Sequence, residues 1–148
     1  MIIGLRRTVL LGTVGAVAAI IVLLPFFIGV AFPLPHSLPV TISDIQVLQD
    51  GTVEVRLDIF NPNLAALAVS KVEYDLYADG ELVGKGRLDY SDVPPTGRPQ
   101  LLSRQTTTLV STVDTGVQSS DAYWVASGAV EIGNAFTLGQ REFTANFQ

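Results

Sequence analysis

Polar and apolar positions follow two different patterns in two parts of this chain. From Val9 to Phe32 the residues form an apolar run of 24 positions, interrupted only by small residues, Thr13 and Pro25. Beyond Val40 apolar and polar residues alternate. An unbroken apolar run of this length predicts a membrane-spanning helix, whereas alternation with period two predicts half-buried β-strands. We therefore expect a single N-terminal transmembrane helix followed by an all-β domain.

The clearest alternation lies between Val53 and Ile59, where charged residues separate the apolar ones. Six further runs alternate in a similar way and begin near Val40, Lys71, Leu82, Ser103, Val130 and Phe143. The run that begins at Val40 changes phase near Ser43-Asp44, which predicts a β-bulge. Seven short strands over residues 40–148 predict a seven-stranded antiparallel immunoglobulin/fibronectin-III-like β-sandwich.

Local signals predict how these strands are connected. Asp50-Gly51 and Asp79-Gly80 are dipeptides that favour tight hairpin turns. A short helix is predicted near Val117 to Tyr123, where Ser119 or Ser120 is able to cap its first turn. The expected fold is thus a β-sandwich with one short helix, preceded by the transmembrane helix.

Charges around the apolar run predict the topology of the chain. Arg6 and Arg7 precede it, and from Thr8 to Ser43 there is no Asp, Glu, Lys or Arg. Basic residues stay on the cytoplasmic side of a membrane. We therefore predict a cytoplasmic segment at 1–7, a signal-anchor helix at 8–32, a Pro-rich spacer at 33–39 and a β-sandwich at 40–148 outside the cytoplasm.

A cleaved signal peptide is the alternative interpretation of the same segment. Signal peptides also begin with basic residues, but their apolar region typically spans about 7–15 residues. The run here is longer, and Val30-Ala31-Phe32 is a poor cleavage site. These two observations favour an uncleaved anchor in the cell membrane.

Composition restricts the chemistry that this chain can perform. It has no cysteine and one histidine, so disulfides, thiolate zinc sites and cysteine nucleophiles are excluded. The part of the chain after the apolar run has seven basic and 14 acidic residues, which gives it a charge of −7. Nucleic-acid binding requires a basic face, so we expect no nucleic-acid partner.

Two motifs have a superficial likeness to enzyme sites. Gly80 and Gly84-Lys85 resemble a phosphate-binding loop, but three residues lie between the glycines where the motif needs four, and Gly86 stands where it needs Ser or Thr. A Ser-His-Asp hydrolase needs a rigidly held histidine, and His36 lies in the spacer. We predict no catalytic residue and no cofactor, with a hydrolase as the least favoured alternative.

Carboxylate pairs offer the remaining candidate chemistry. Asp89 with Asp92, or Asp75 with Asp79, would supply the oxygen ligands that Ca²⁺ takes. Neither pair fits the spacing of an EF-hand loop. We interpret these residues as solvated surface acids and predict neither a metal site nor a small-molecule substrate.

Several of these features occur together in one known family. An amphipathic strand ends in Phe60-Asn61-Pro62-Asn63, and the strand Val72 to Tyr77 and a glycine-spaced strand follow it. This arrangement resembles the late embryogenesis abundant type 2 family, whose domain is also called the water stress and hypersensitive response (WHy) domain, in a membrane-anchored prokaryotic form. The residues that carry the resemblance are Asn61, Pro62, Asn63, Tyr74, Leu76, Tyr77, Gly80, Gly84, Gly86 and Gly128.

The resemblance implies a seven-stranded β-sandwich and a non-catalytic role in desiccation and other stress. From the residues themselves, Pro62 ends the strand and Asn61 bonds nearby backbone, so a loop that fixes strand register is expected. A ligand site at Asn61 or Asn63 is the alternative. Gly84 and Gly86 leave room for a neighbouring side chain to cover the backbone, and we expect Trp124 to do so.

Two functions remain open at this point. The first is a membrane-anchored, stress-associated domain that acts through surface interactions of its acidic exterior. The second is a cell-envelope binding or assembly module that recognises a protein partner through an exposed strand edge. The uncharged run Thr106 to Thr112 contains no proline and is the predicted edge.

Overall fold

The computed structural model describes residues 34–118, 121–135 and 137–148, and these residues form an all-β sandwich. Arg6, Arg7 and the predicted transmembrane helix at 8–32 lie outside the described residues. Within the described ranges, no helix is long and apolar enough to cross a membrane.

Eight strands make up two antiparallel sheets in the described part of the chain. They are β1 (Val40–Val47), β2 (Thr52–Phe60), β3 (Leu67–Ala78), β4 (Glu81–Asp89), β5 (Gln100–Leu101), β6 (Thr106–Asp114), β7 (Trp124–Gly133) and β8 (Leu138–Phe147). The smaller sheet has the order β1-β2-β6, and the larger one has the order β4-β3-β7-β8, with β5 paired to the start of β3. The predicted count of seven strands was wrong by the two-residue β5, which is too short to show alternation.

The strands run so that their connections gather at two ends of the sandwich. We call the end at which Leu34 leads into β1 the entry end, and the other the opposite end. The loops of the entry end are residues 34–39, 61–66, 90–99, 102–105 and 134–137, of which 136 is not described. The loops of the opposite end are residues 48–51, 79–80 and 115–123, of which 119 and 120 are not described.

The core lies between the two sheets and follows from the alternation in the sequence. The four alternating apolar residues from Val53 to Ile59 in β2 are fully buried, while the charged residues between them are half-buried on the outer face. The larger sheet adds Val72, Leu76 and Trp124, which are also fully buried. Burying one such side chain contributes roughly 1.5–3 kcal/mol, so the alternating pattern alone selects the inward face.

Two local predictions are confirmed. The pairing of β1 with β2 shifts register between Ile42 and Asp44, as expected for a β-bulge at the change of phase. Asp79 and Gly80 both have positive φ angles, 51° and 85°. This is the backbone of a type I′ hairpin turn, which requires residues that tolerate positive φ at both positions.

The predicted helix near Val117 to Tyr123 is wrong, because the described residues of this segment form no helix. The two residues just before the segment and its last residue bond distant parts of the chain. The amides of Thr115 and Gly116 both donate to the carbonyl of Gly51, at 3.3 Å and 2.9 Å. Asp79 and Tyr123 are also joined, because each backbone amide donates to an oxygen of the other residue. The two ends of the segment are thus fixed to the two hairpin turns.

The prediction that Trp124 covers the glycines of β4 is also wrong. A Cβ atom at Gly86 would lie 2.0 Å from the ring of Tyr74, so the tyrosine covers this position. At Gly84 a Cβ would lie 2.5 Å from Val113 of β6. The absent side chains let the edge strand β4 approach both Tyr74 and the smaller sheet closely.

The side chain of Tyr74 brings a hydroxyl into the apolar core. Tyr74 of the larger sheet and Ser111 of the smaller sheet are buried, and their hydroxyl oxygens have no hydrogen-bond partner among the described residues. Burial raises the pKa of the Tyr74 phenol, and the nearby Ser111 hydroxyl lowers it by less. An unpartnered buried hydroxyl costs about 1–3 kcal/mol of stability.

We therefore expect Tyr74→Phe to raise the free energy of unfolding at neutral pH by about 1 kcal/mol. The folded-state pKa of Tyr74 lies above its unfolded value, so the folded protein binds the proton more tightly and loses stability as the pH rises above roughly 10. The variant should lack this alkaline loss. Urea unfolding at about pH 7 and at about pH 10.5, slightly above the unfolded phenol pKa, measures both effects.

Tyr77→Phe, on the half-buried outer face of the same strand, is the matched control and should change stability little. A loss of stability in Tyr74→Phe at neutral pH would show that the hydroxyl is hydrogen-bonded in the folded protein, and would contradict the prediction.

Candidate functional site

The Asn61-Pro62-Asn63 loop joins the two sheets through one buried amide. The side chain of Asn61 is fully buried, and its Nδ2 donates to the carbonyls of Ala65 and Leu101, at 2.9 Å and 2.8 Å. Its Oδ1 accepts from the amide of Asn63, and its own amide donates to Gln105. Both polar atoms of its side chain are therefore bonded inside the protein, which supports the loop that fixes register over a ligand site at Asn61.

Proline explains why the strand ends there. Pro62 lies two residues after the last residue of β2 and cannot donate a ladder hydrogen bond, so the strand cannot continue through this loop. Asn63 is half-buried, and its carbonyl accepts from the hydroxyl of Ser103 at 3.0 Å. The loop is thereby held against the segment between β5 and β6.

A second organising residue, Arg98, was missed by sequence reasoning. Its guanidinium donates to the carbonyls of Val93 and Ser91, at 2.7 Å and 3.0 Å, and to the hydroxyl of Ser70 at 2.6 Å. Ser70 is buried in β3 where the pairing with β7 shifts register. No motif marks an arginine that binds carbonyls of its own loop, so the sequence carried no signal for it.

The outer face of the larger sheet carries charged and hydroxyl side chains. Two rows of side chains cross its four long strands from β4 to β8. One row is Arg87, Glu73, Ala129 and Glu142, and the other is Lys85, Asp75, Ser127 and Thr144. Between them lies the row of Gly86, Tyr74, Gly128 and Phe143, which contributes no outward side chain.

These rows border a shallow depression of about 890 Å³. Its charged side chains are paired, with Glu73 bonded to Lys71 at 2.8 Å and lying 3.6 Å from Arg87, and Asp75 lying 3.1 Å from Lys85. Exposed ion pairs contribute little to stability, so these pairs order the surface rather than hold the fold.

The strongest electrostatic effect on this face belongs to Asp89. Its carboxylate accepts from the Arg87 guanidinium at 2.6 Å and from the hydroxyl and amide of Ser91. The Arg87 bond, followed by the Ser91 bonds, holds the pKa of Asp89 well below its usual range, and Asp89 in turn raises the pKa of Arg87. Asp89 is thus ionised throughout the physiological range.

The candidate metal and catalytic residues do not come together. Asp89 is occupied by Arg87, Asp75 by Lys85, and Asp79 by the amide of Tyr123. Within residues 34–118, 121–135 and 137–148, no group of three His, Asp or Glu side chains is placed to hold a metal ion. His36 is exposed on the segment before β1.

The other residues of the family resemblance have structural positions. Leu76 is fully buried in the core, and Tyr77 lies half-buried on the outer face. Gly80 forms the hairpin turn, and Gly128 has no room for a side chain, because a Cβ there would lie 2.0 Å from the carbonyl of Glu73. These positions fix turns and close strand contacts.

The predicted edge run lies on an edge strand. In the smaller sheet β6 pairs with β2 on one side and has no second strand in that sheet among the described residues. The hydroxyl of Thr107 donates to the carbonyl of Gln100, and Val113 lies against Gly84, so both ends of the strand are covered. Val110, in the middle, is 49% exposed.

Comparison with known proteins adds a structural likeness alone. No family model matches the chain, and no curated protein matches it. Among solved structures, the chain is similar to a crystal structure of a protein from Archaeoglobus fulgidus, with 12% sequence identity. The alignment covers 76% of this chain and 93% of that one, with a TM-score of 0.46.

The hydrogen bonds of Asn61 predict a large effect of its removal. Asn61→Ala leaves the carbonyls of Ala65 and Leu101 without their donor, and an unsatisfied buried group costs about 1–3 kcal/mol. We expect a loss of about 3 kcal/mol in the free energy of unfolding, measured by urea titration.

Asn146→Ala removes an exposed asparagine from β8 and is the matched control, with an expected change within about 0.5 kcal/mol. Equal stability of the two variants would show that the amide of Asn61 is dispensable for the fold.

Proposed function

We propose that this chain is a non-catalytic, membrane-anchored domain that acts in stress such as desiccation through the surface of its β-sandwich. The observation that carries the proposal is the layer of charged and hydroxyl side chains on the outer face of the larger sheet, above a glycine-containing row. Hydrated charges of this kind keep a protein soluble and resist association. The excess of acidic residues after the apolar run adds to the same effect.

Further support comes from the sequence and from the strand order. The apolar run 9–32 behind Arg6 and Arg7 favours a single-pass anchor with the sandwich outside the cytoplasm. The strand order supports an immunoglobulin/fibronectin-III-like topology. The strands β1, β2 and β6 share one sheet and β3, β7 and β8 share the other, as strands A, B and E and strands C, F and G do in immunoglobulin domains. The residues of the late embryogenesis abundant type 2 resemblance support the stress role.

The role of the acidic exterior is tested by neutralising exposed acids whose side chains form no hydrogen bond or ion pair with the described residues. The triple variant Glu81→Gln, Asp114→Asn, Glu142→Gln removes three negative charges. The full chain in lipid vesicles should preserve the activity of an enclosed enzyme through drying and rehydration, and the triple variant should preserve clearly less, because its surface holds less water.

The control variant carries Gln140→Asn, Thr144→Ser and Asn146→Gln, three exposed substitutions without a change of charge. It should protect as the native chain does. Equal protection by the native and neutralised chains would contradict the proposal that the acidic residues protect through hydration.

A second candidate function is a cell-envelope module that binds a protein partner along β6. The observation that favours it is the uncharged edge position of this strand, with Val110 exposed at its centre. A partner strand would pair with the backbone there, and a lysine on an edge strand disfavours such pairing.

Val110→Lys should therefore abolish cross-linking of the full chain to a stoichiometric envelope partner in intact cells. The control Thr144→Lys, on the outer face of the other sheet, should leave the cross-linked product unchanged. A product that persists in Val110→Lys would exclude the β6 edge as its binding site.

A further inference from the structure

The two ends of the sandwich differ in charge. The loops and strand termini of the opposite end carry acids and, among the described residues, no lysine or arginine. These acids are Asp50, Asp79, Glu81, Asp114 and Asp121. The entry end carries Arg98 and Arg104 beside Asp92 and Asp89, and Asp89 is paired with Arg87. The negative charge of the domain is therefore concentrated away from the place where the chain enters it.

The entry end also exposes leucines. Leu64, Leu138 and Leu102 are 72%, 63% and 49% exposed, and each lies in a loop or at a strand terminus of this end. The hydrogen bonds from Asn61 to Leu101 and from Ser103 to Asn63 hold the loops of Leu64 and Leu102 beside each other. We call these three leucines and the exposed Arg104, which share the entry end, the leucine rim.

The entry end follows directly after the apolar run in the sequence, which indicates what the leucine rim contacts. The apolar run ends at Phe32, two residues before Leu34, and two residues span at most about 7 Å. Leu34 lies close to Gly139, and the carbonyl of Pro35 accepts from the guanidinium of Arg141, so the entry segment is fixed to β8. A bilayer that holds the run up to Phe32 is therefore within reach of the rim.

We propose that the leucine rim rests on the lipid surface, with Leu64, Leu102 and Leu138 among the headgroups and Arg104 at a lipid phosphate. This rests on the membrane anchor of the proposed function. Burial of exposed leucines in the interface is favourable, and an anionic surface attracts an exposed arginine. The same surface repels the acidic opposite end, so the long axis of the sandwich stands away from the membrane.

The absence of cysteine from the sequence makes a site-specific test direct. Leu102→Cys and Leu138→Cys each place one probe on the leucine rim, and Leu82→Cys places a matched one near the opposite end, where Leu82 is 54% exposed. Each full-length variant is labelled with the same polarity-sensitive dye and reconstituted into phosphatidylcholine/phosphatidylglycerol vesicles that contain nitroxide-headgroup lipid. Thermal unfolding confirms that each labelled chain is folded.

We expect the nitroxide lipid to quench the dyes at 102 and 138 about twofold or more strongly than the dye at 82, because only the rim reaches the headgroups. Arg104→Gln should lower the ratio of docked to undocked domain about fivefold in these vesicles, the effect of one basic residue at an anionic surface. Equal quenching at all three positions overturns the inference.

Carbonate extraction of the same vesicles separates this inference from the anchor. Protein that resists extraction but shows equal quenching retains the anchor and loses the rim contact. Protein that is extracted yet quenched selectively at 102 and 138 keeps the rim contact and overturns the anchor. Extraction together with equal quenching overturns both.

Discussion

The sandwich depends on one buried amide at the point where the chain leaves the smaller sheet for the larger one. The side chain of Asn61 bonds the carbonyls of Ala65 and Leu101, and its backbone amide bonds Gln105, so a single residue joins the ends of β2, β5 and the segment before β6. Most polar groups inside a protein are paired, and the partners of Asn61 come from the segments that lead into both sheets. The relative placement of the two sheets at this end follows from that requirement.

Most of the strand pattern could be predicted because burial follows alternation. The whole of β2, the bulge between Ile42 and Asp44 and the Asp79-Gly80 turn each have a local signal in the residues that form them. The helix expected near Val117 fails for the opposite reason. The amide of Gly116, just before it, bonds Gly51, and the amide of Tyr123, at its end, bonds Asp79. These partners are distant in the sequence, and a local capping signal contains no information about them.

The proposed interaction surfaces likewise combine features that have a local signal in the sequence with features that depend on long-range contacts. Alternation was sufficient to predict that Glu73 and Asp75 lie on an outer face. The edge position of β6 was predicted from the uncharged run Thr106 to Thr112. The register across four strands, which places Arg87 beside Glu73 and Lys85 beside Asp75, depends on long-range pairing. The contacts of Tyr74 with Gly86 and of Arg98 with Ser70 depend on it as well, so neither was predictable from the chain alone.

The direction of the strands has a mechanical consequence. Both β1 and β8 run from the entry end to the opposite end, and β8 has 10 residues, which span about 33 Å. Tension applied between Leu34 and Gln148 acts along these strands and loads the hydrogen bonds of their partners in shear, so that many bonds must break together. We therefore expect the domain to resist stretching along its length.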